Sequence, residues 1–138
     1  MNKKTATFDI ESDGLLENVT RVWCVVVKDH ATGDVSIWDC NAGGSPIDML
    51  KQYDTLIGHN CIAFDFPVLR KIYGWEYEGT KVDTLLMSRT QRPNRRAVKD
   101  SEAGPNSVEA WGHRFGNRKR SNDVWDHYHN GILERCIQ

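Results

Sequence analysis

No stretch of this 138-residue chain approaches the ~20 consecutive apolar residues that a membrane span needs, and the opening MNKKTATFDIES is not a secretory signal. No two cysteines stand at CxxC spacing: Cys24, Cys40, Cys61 and Cys136 are scattered, and none pairs with a histidine at zinc-like spacing. Reduced thiols in a cytoplasm are therefore expected, rather than a disulfide or zinc framework. No glycine-rich phosphate loop follows any candidate strand, which argues against a nucleotide-binding domain. Internal repeats and low-complexity tracts are lacking too. What is present is ordinary for a globular protein, 39% hydrophobic and 27% charged, in a length that suits one domain and not two.

Charge is unevenly spread. Residues 1–88 carry 8 Lys/Arg against 13 Asp/Glu, whereas residues 89–120 carry 9 against 3. The basic segment holds Arg89, Arg92, Arg95, Arg96, Lys99, Arg114, Arg118, Lys119 and Arg120. Such a run is compatible with a solvated loop. It is equally compatible with a phosphate-tracking surface beside an acidic site.

Polarity alternates over Thr5–Glu11, which predicts a strand. The β-branched run Val22–Lys28 predicts a strand buried on both faces, and Val35–Trp38 a third, completing an antiparallel meander. Ser45 and Pro46 read as the start of a helix running to about Tyr53. Thr55–Gly58 reads as a strand, Phe64–Tyr73 as a helix stopped by Gly74, and Lys81–Asp83 as a fifth strand. Asp83 can cap a helix over Thr84–Arg89. Residues 91–106 lack periodicity and read as a long exposed basic loop. Ser107–Phe115 reads as a helix ended by Gly116, and a last helix is expected from Gly131 onward. The expected fold is α/β, a mixed five-stranded sheet with helices packed on it.

Two segments carry chemistry. Along the first strand Asp9 and Glu11 point to one side, Phe8 and Ile10 to the other. The carboxylates form either a plain polar face or a cation site, since adjacent like charges repel without an ion between them. Asp13 and Gly14 then turn the chain, presenting Leu15 at the mouth of the pair. In the second segment, Gly58-His59-Asn60-Cys61-Ile62-Ala63-Phe64-Asp65, Asp65 can be a helix cap. Asn60 and Phe64 add an amide and a ring beside it, a grouping that can hold a nucleic-acid backbone and stack on a base.

These segments in order resemble the DEDD (DnaQ-like) exonuclease superfamily, with its ribonuclease H-like fold, and in particular the proofreading domain of short-tailed-phage family A DNA polymerases. Asp9-x-Glu11 is similar to the first exonuclease motif, and His59-Asn60 with Phe64-Asp65 to the second. Asp83-Thr84-Leu85 with Ser88-Arg89, and Ser107-x-Glu109-Ala110-Trp111-Gly112, look like further family segments. Trp125, Ile132-Leu133 and Arg135-Cys136-Ile137-Gln138 look like the approach to the third motif. That motif departs from the family: Arg135 stands where a tyrosine is usual, and the last aspartate would follow Gln138. Glu134 and Asp126 are the nearest carboxylates to it in sequence.

The resemblance implies metal-dependent 3′→5′ hydrolysis of the terminal phosphodiester of single-stranded DNA by two Mg²⁺ or Mn²⁺ ions, held by oxygen ligands as hard cations require. Asp9, Glu11 and Asp65 would be the metal-holding and catalytic residues. Ser12, Leu15, Asn60 and Phe64 would contact the strand, Leu15 and Phe64 by wedging and stacking its last bases. The implied partners are a single-stranded DNA 3′ end and polymerase sequence in the same or a companion chain; the implied place is the cytoplasm of an infected bacterial host. With three carboxylates in place of four, weak activity favouring Mn²⁺ is expected. The alternatives are a free-standing DEDD exonuclease acting on RNA or short oligonucleotides, and an inactive nucleic-acid-binding fragment.

Overall fold

The computed structural model describes residues 2–99, 101 and 103–117. Its sheet is built from β1 (Thr5–Ser12), β2 (Val22–Asp29), β3 (Val35–Asp39), β4 (Thr55–Gly58) and β5 (Thr80–Asp83), in spatial order β3-β2-β1-β4-β5. β1, β2 and β3 pair antiparallel, while β4 joins β1, and β5 joins β4, in parallel. The expected mixed five-stranded α/β sheet is thus the observed one. Four helices accompany it among the described residues: α1 (Ile47–Leu50), α2 (Asp65–Tyr73), α3 (Thr84–Gln91) and α4 (Val108–Phe115).

The core follows from pleat and helical period. Ala6, Phe8 and Ile10 enter it from alternate positions of β1, Val25 and Val27 from β2, and Leu56 from β4. Val68 and Leu69 of α2 close over them, both fully buried. β2 is buried from both sides at Val22, Cys24, Val25 and Val27, because it lies inside the sheet. Gly74, at φ 64°, takes the left-handed conformation that ends α2.

One expectation needs correction. The helix opening at Ser45-Pro46 lasts only from Ile47 to Leu50, with Pro46 itself at the N-cap and Ser45 Oγ accepting from the Ile47 N–H at 3.3 Å. Its four residues make a single turn, held by tertiary packing of Leu50. Cys24 and Cys61 are buried free thiols, as expected.

The basic loop is irregular and exposed over most of its described length, as expected, and it is pinned at several points. Asn106 Oδ1 accepts from Ser88 Oγ at 2.7 Å and from Arg95 Nε at 3.2 Å. Trp111 Nε1 donates to the same Ser88 hydroxyl at 2.8 Å. Arg114 reaches back to the carbonyls of Pro105 and Arg96. The expected last helix, Trp125 and the approach to the third motif lie outside the described residues.

Candidate active site

β1 outruns its parallel neighbour. Its pairing with β4 ends at Thr7 opposite Ile57, and β4 itself ends at Gly58, so Asp9–Ser12 project past the carboxyl end of β4. The chain leaving β4 turns through His59–Phe64 and starts α2 at Asp65, which brings Asp65 against the uncovered part of β1. Asp65 lies at the first helical position, with Phe64 at the N-cap and no side-chain cap bond, so a capping role does not account for it. Its carboxylate takes hydrogen bonds from its own N–H and from that of Ile10.

Asp65 is only 4% exposed. Burial, and then the nearby Asp9 charge, push its carboxyl up to about 7, against the two N–H groups that favour ionisation. Asp9 lies exposed on the outer face of β1, and Glu11, two residues on, is half-buried. The charges of Glu11 and Asp9, after burial itself, drive the Cys24 thiol on the adjacent strand up to about 11. Asp9 is therefore felt both by Asp65 of α2 and by Cys24 of β2. Among the described residues no three His, Cys, Asp or Glu side chains are gathered closely enough to hold an ion as they stand.

The surrounding contacts are well defined. Asp13 accepts from the N–H groups of Thr20 and Arg21 and from the Thr20 hydroxyl, and these bonds hold its own pKa down. Lys71 of α2 donates to the Leu16 and Glu17 carbonyls at 2.8 and 3.0 Å. The loop is fastened at both ends, yet Leu15 at its tip is 69% exposed. Ser12 sits at the β1 irregularity and donates to the Gly14 carbonyl. Asn60 is exposed at φ 59°, a left-handed conformation that asparagine tolerates. Phe64 is half-buried against the core.

Asp83 does more than cap α3. Its carboxylate accepts from the N–H groups of Leu85 and Leu86, and also from Asn60 at 2.9 Å and Ile62 at 3.1 Å. One buried side chain thus fixes both the start of α3 and the turn that delivers Asp65. The sequence signals only the cap; the two bonds to residues 21 and 23 positions away depend on β4 and β5 being neighbours. Gly58 belongs to the same turn: a Cβ there would meet the Cys61 Cβ at 2.7 Å. Asp83→Ala leaves four N–H groups without their acceptor, and a loss of about 3 kcal/mol or more in denaturant unfolding is expected. Asp83→Asn is expected to recover part of it.

His59 links this turn to the loop before α4. Its Nδ1 lies 2.9 Å from Thr84 Oγ1, and its ring bonds the Asn106 backbone; burial holds its pKa below the usual histidine range. Sequence reasoning also missed the role of Trp111, whose ring underlies the guanidinium groups of both Arg95 and Arg114.

No family model matches the chain. The DNA-directed DNA polymerase of Enterobacteria phage T3 is 29% identical over 135 residues, covering 80% of this chain and 19% of that protein. The corresponding polymerase of Escherichia phage T7 is 28% identical with the same coverage. This chain spans about a fifth of the length of these relatives. Among solved structures, E. coli exonuclease I in complex with a dT13 oligonucleotide superposes with a TM-score of 0.64 at 14% identity, over 88% of this chain and 38% of the other. The family B DNA polymerase of Pyrobaculum calidifontis superposes with a TM-score of 0.59 at 18% identity, over 99% of this chain and 23% of the other. By its sheet order and these superpositions the chain has the ribonuclease H-like α/β fold, and in sequence it is similar to the phage DNA polymerases.

Proposed function

We propose that this chain is a 3′→5′ exodeoxyribonuclease domain that removes nucleotides from single-stranded DNA ends, as the proofreading part of a phage-type DNA polymerase. The observation that carries the reading is Asp65. Burial and the Asp9 charge push its carboxyl up to about 7, and no positive charge among the described residues offsets them. A divalent cation is such a charge, and the donors are all carboxylate oxygens, the set that Mg²⁺ or Mn²⁺ prefers. Asp9, Glu11 and Asp65 would hold it. When bound, such ions supply a nucleophile from water at neutral pH and offset the charge on the leaving oxygen.

The chain's own residues supply the rest. Leu15, exposed on a fastened loop, is placed to insert beside the terminal base, and the edge of Phe64 to stack on it. The Asn60 side chain projects from a turn whose backbone Asp83 immobilises, so its amide is positioned for a phosphate or sugar. Ser12 adds a hydroxyl at the end of β1.

A 5′-labelled single-stranded DNA incubated with the protein and Mn²⁺ should give a ladder shortened from the 3′ end. A 3′-labelled strand should lose its label in the first step. Faster degradation of an RNA of the same sequence would instead favour a free-standing RNA-trimming enzyme. Strand binding without products under either metal would favour a binding fragment.

A further inference from the structure

We infer that four arginines outside the acidic site form a second anchoring point, a cradle for backbone phosphates of the strand whose 3′ end enters that site; the inference rests on the exonuclease reading. Arg92, Arg95, Arg96 and Arg114 line a cleft of about 510 Å³ together with Asn94. None of the four forms a salt bridge with a described carboxylate. Desolvation, and then the charges of Arg114 and Arg92, disfavour the charged state of Arg95, so like charges converge here with no counter-ion among the described residues. Unrelieved repulsion of that kind is offset by an anion, and guanidinium groups match phosphate oxygens in pairs.

The cleft is built, not incidental. Arg95 is held by Asn106, by the Ser88 carbonyl and by Gln91 Oε1, and Arg114 by the Pro105 and Arg96 carbonyls. Both guanidinium carbons lie over the Trp111 ring, 4.6 and 4.9 Å from its centroid. These contacts fix two of the charges and leave Arg92 and Arg96 exposed at the rim.

The tryptophan under Arg95 and Arg114 faces a second hollow on the side of the turn that carries His59. Trp111 also lines a largely apolar groove of about 970 Å³ that reaches His59 and Asp83. His59 in turn feels the Asp9 charge. Bases can lie along the groove while phosphates reach the arginines, which selects a polynucleotide over a single small anion.

The test is fluorescence anisotropy in EDTA, where no cleavage occurs, with labelled oligothymidylates of three and twelve nucleotides. The double variant R92Q/R96Q removes only the rim charges that carry no structural bond. It should bind the 12-mer about tenfold more weakly at low salt, with the slope of log K against log salt shallower by about 1.4. Binding of the 3-mer should be unchanged, since it reaches only the acidic site. An unaltered 12-mer affinity and slope, in a variant that melts like the parent, would overturn the cradle and leave the exonuclease reading untouched. If inorganic phosphate or a mononucleotide bound the parent as tightly as the 12-mer and lost that affinity in R92Q/R96Q, the cleft would be a small-anion site and the strand assignment would fall. Absence of 12-mer binding to the parent at low salt would overturn the cradle, and the exonuclease reading would be decided separately by the cleavage assay with Mn²⁺.

Discussion

Asp9→Ala is expected to slow release of 3′-terminal nucleotides about a thousandfold while leaving the fold as stable as before. The magnitude follows from charge. Cations at such sites contribute several kcal/mol to the transition state, and about 4 kcal/mol corresponds to three decades in rate. Asp9 is the carboxylate felt by both Asp65 and Cys24, so removing it disturbs the centre of the acidic group. Its side chain is exposed on the outer face of β1, opposite Phe8 and Ile10, and therefore contributes nothing to the core. Cleavage of labelled DNA and thermal melting, measured on one preparation, separate the two effects. A variant that fails to fold would make Asp9 structural; one that still cleaves at the parental rate would place the chemistry elsewhere.

Asp65→Asn is expected to stabilise the metal-free protein at alkaline pH and to abolish its response to divalent ions. The folded-state pKa of Asp65 is raised from 3.8 to about 7. The native state then holds a proton that the unfolded chain has already released, so stability falls as pH rises through that window. The full effect is about 4 kcal/mol at most, reached above pH 7. Asparagine keeps the shape and can still accept from the Ile10 N–H, but stays neutral. Parent and variant should melt together near pH 4 and diverge toward pH 8, with the variant higher. His59 works in the opposite sense, because its lowered pKa costs stability at acid pH, so the informative quantity is the difference between the two proteins. Mn²⁺ at pH 8 should raise the melting temperature of the parent and not of the variant. A parent–variant difference flat from pH 4 to 8 would mean that Asp65 is ionised in the fold throughout.

The strands were readable because their signals are local. Alternation in β1 and the apolar run in β2 record which faces meet the core, and Gly74 and Gly116 end α2 and α4 in left-handed geometry that favours glycine. Ser107 caps α4 through the Ala110 N–H, as its position before the helix predicted. Residues 91–106 were readable as an exposed loop, but proline, glycine and charge without periodicity do not reveal that distant partners tie them down. What ties them is Ser88, Asn106 and Trp111, three residues from separate parts of the chain that meet only once α3 and α4 are in place.

The sequence by itself determined the sheet, the order of the motifs and the residue types of the acidic site, since backbone periodicity and oxygen-ligand chemistry are properties of short segments. Only the tertiary structure decided that Asp65 is buried against Asp9 and Ile10, that Asp83 holds the turn delivering it, and that four arginines converge on one cleft. Those outcomes depend on β1 extending past the end of β4 and on how loops cross the sheet edge, and long-range pairing of that kind has no signature in any single stretch of residues.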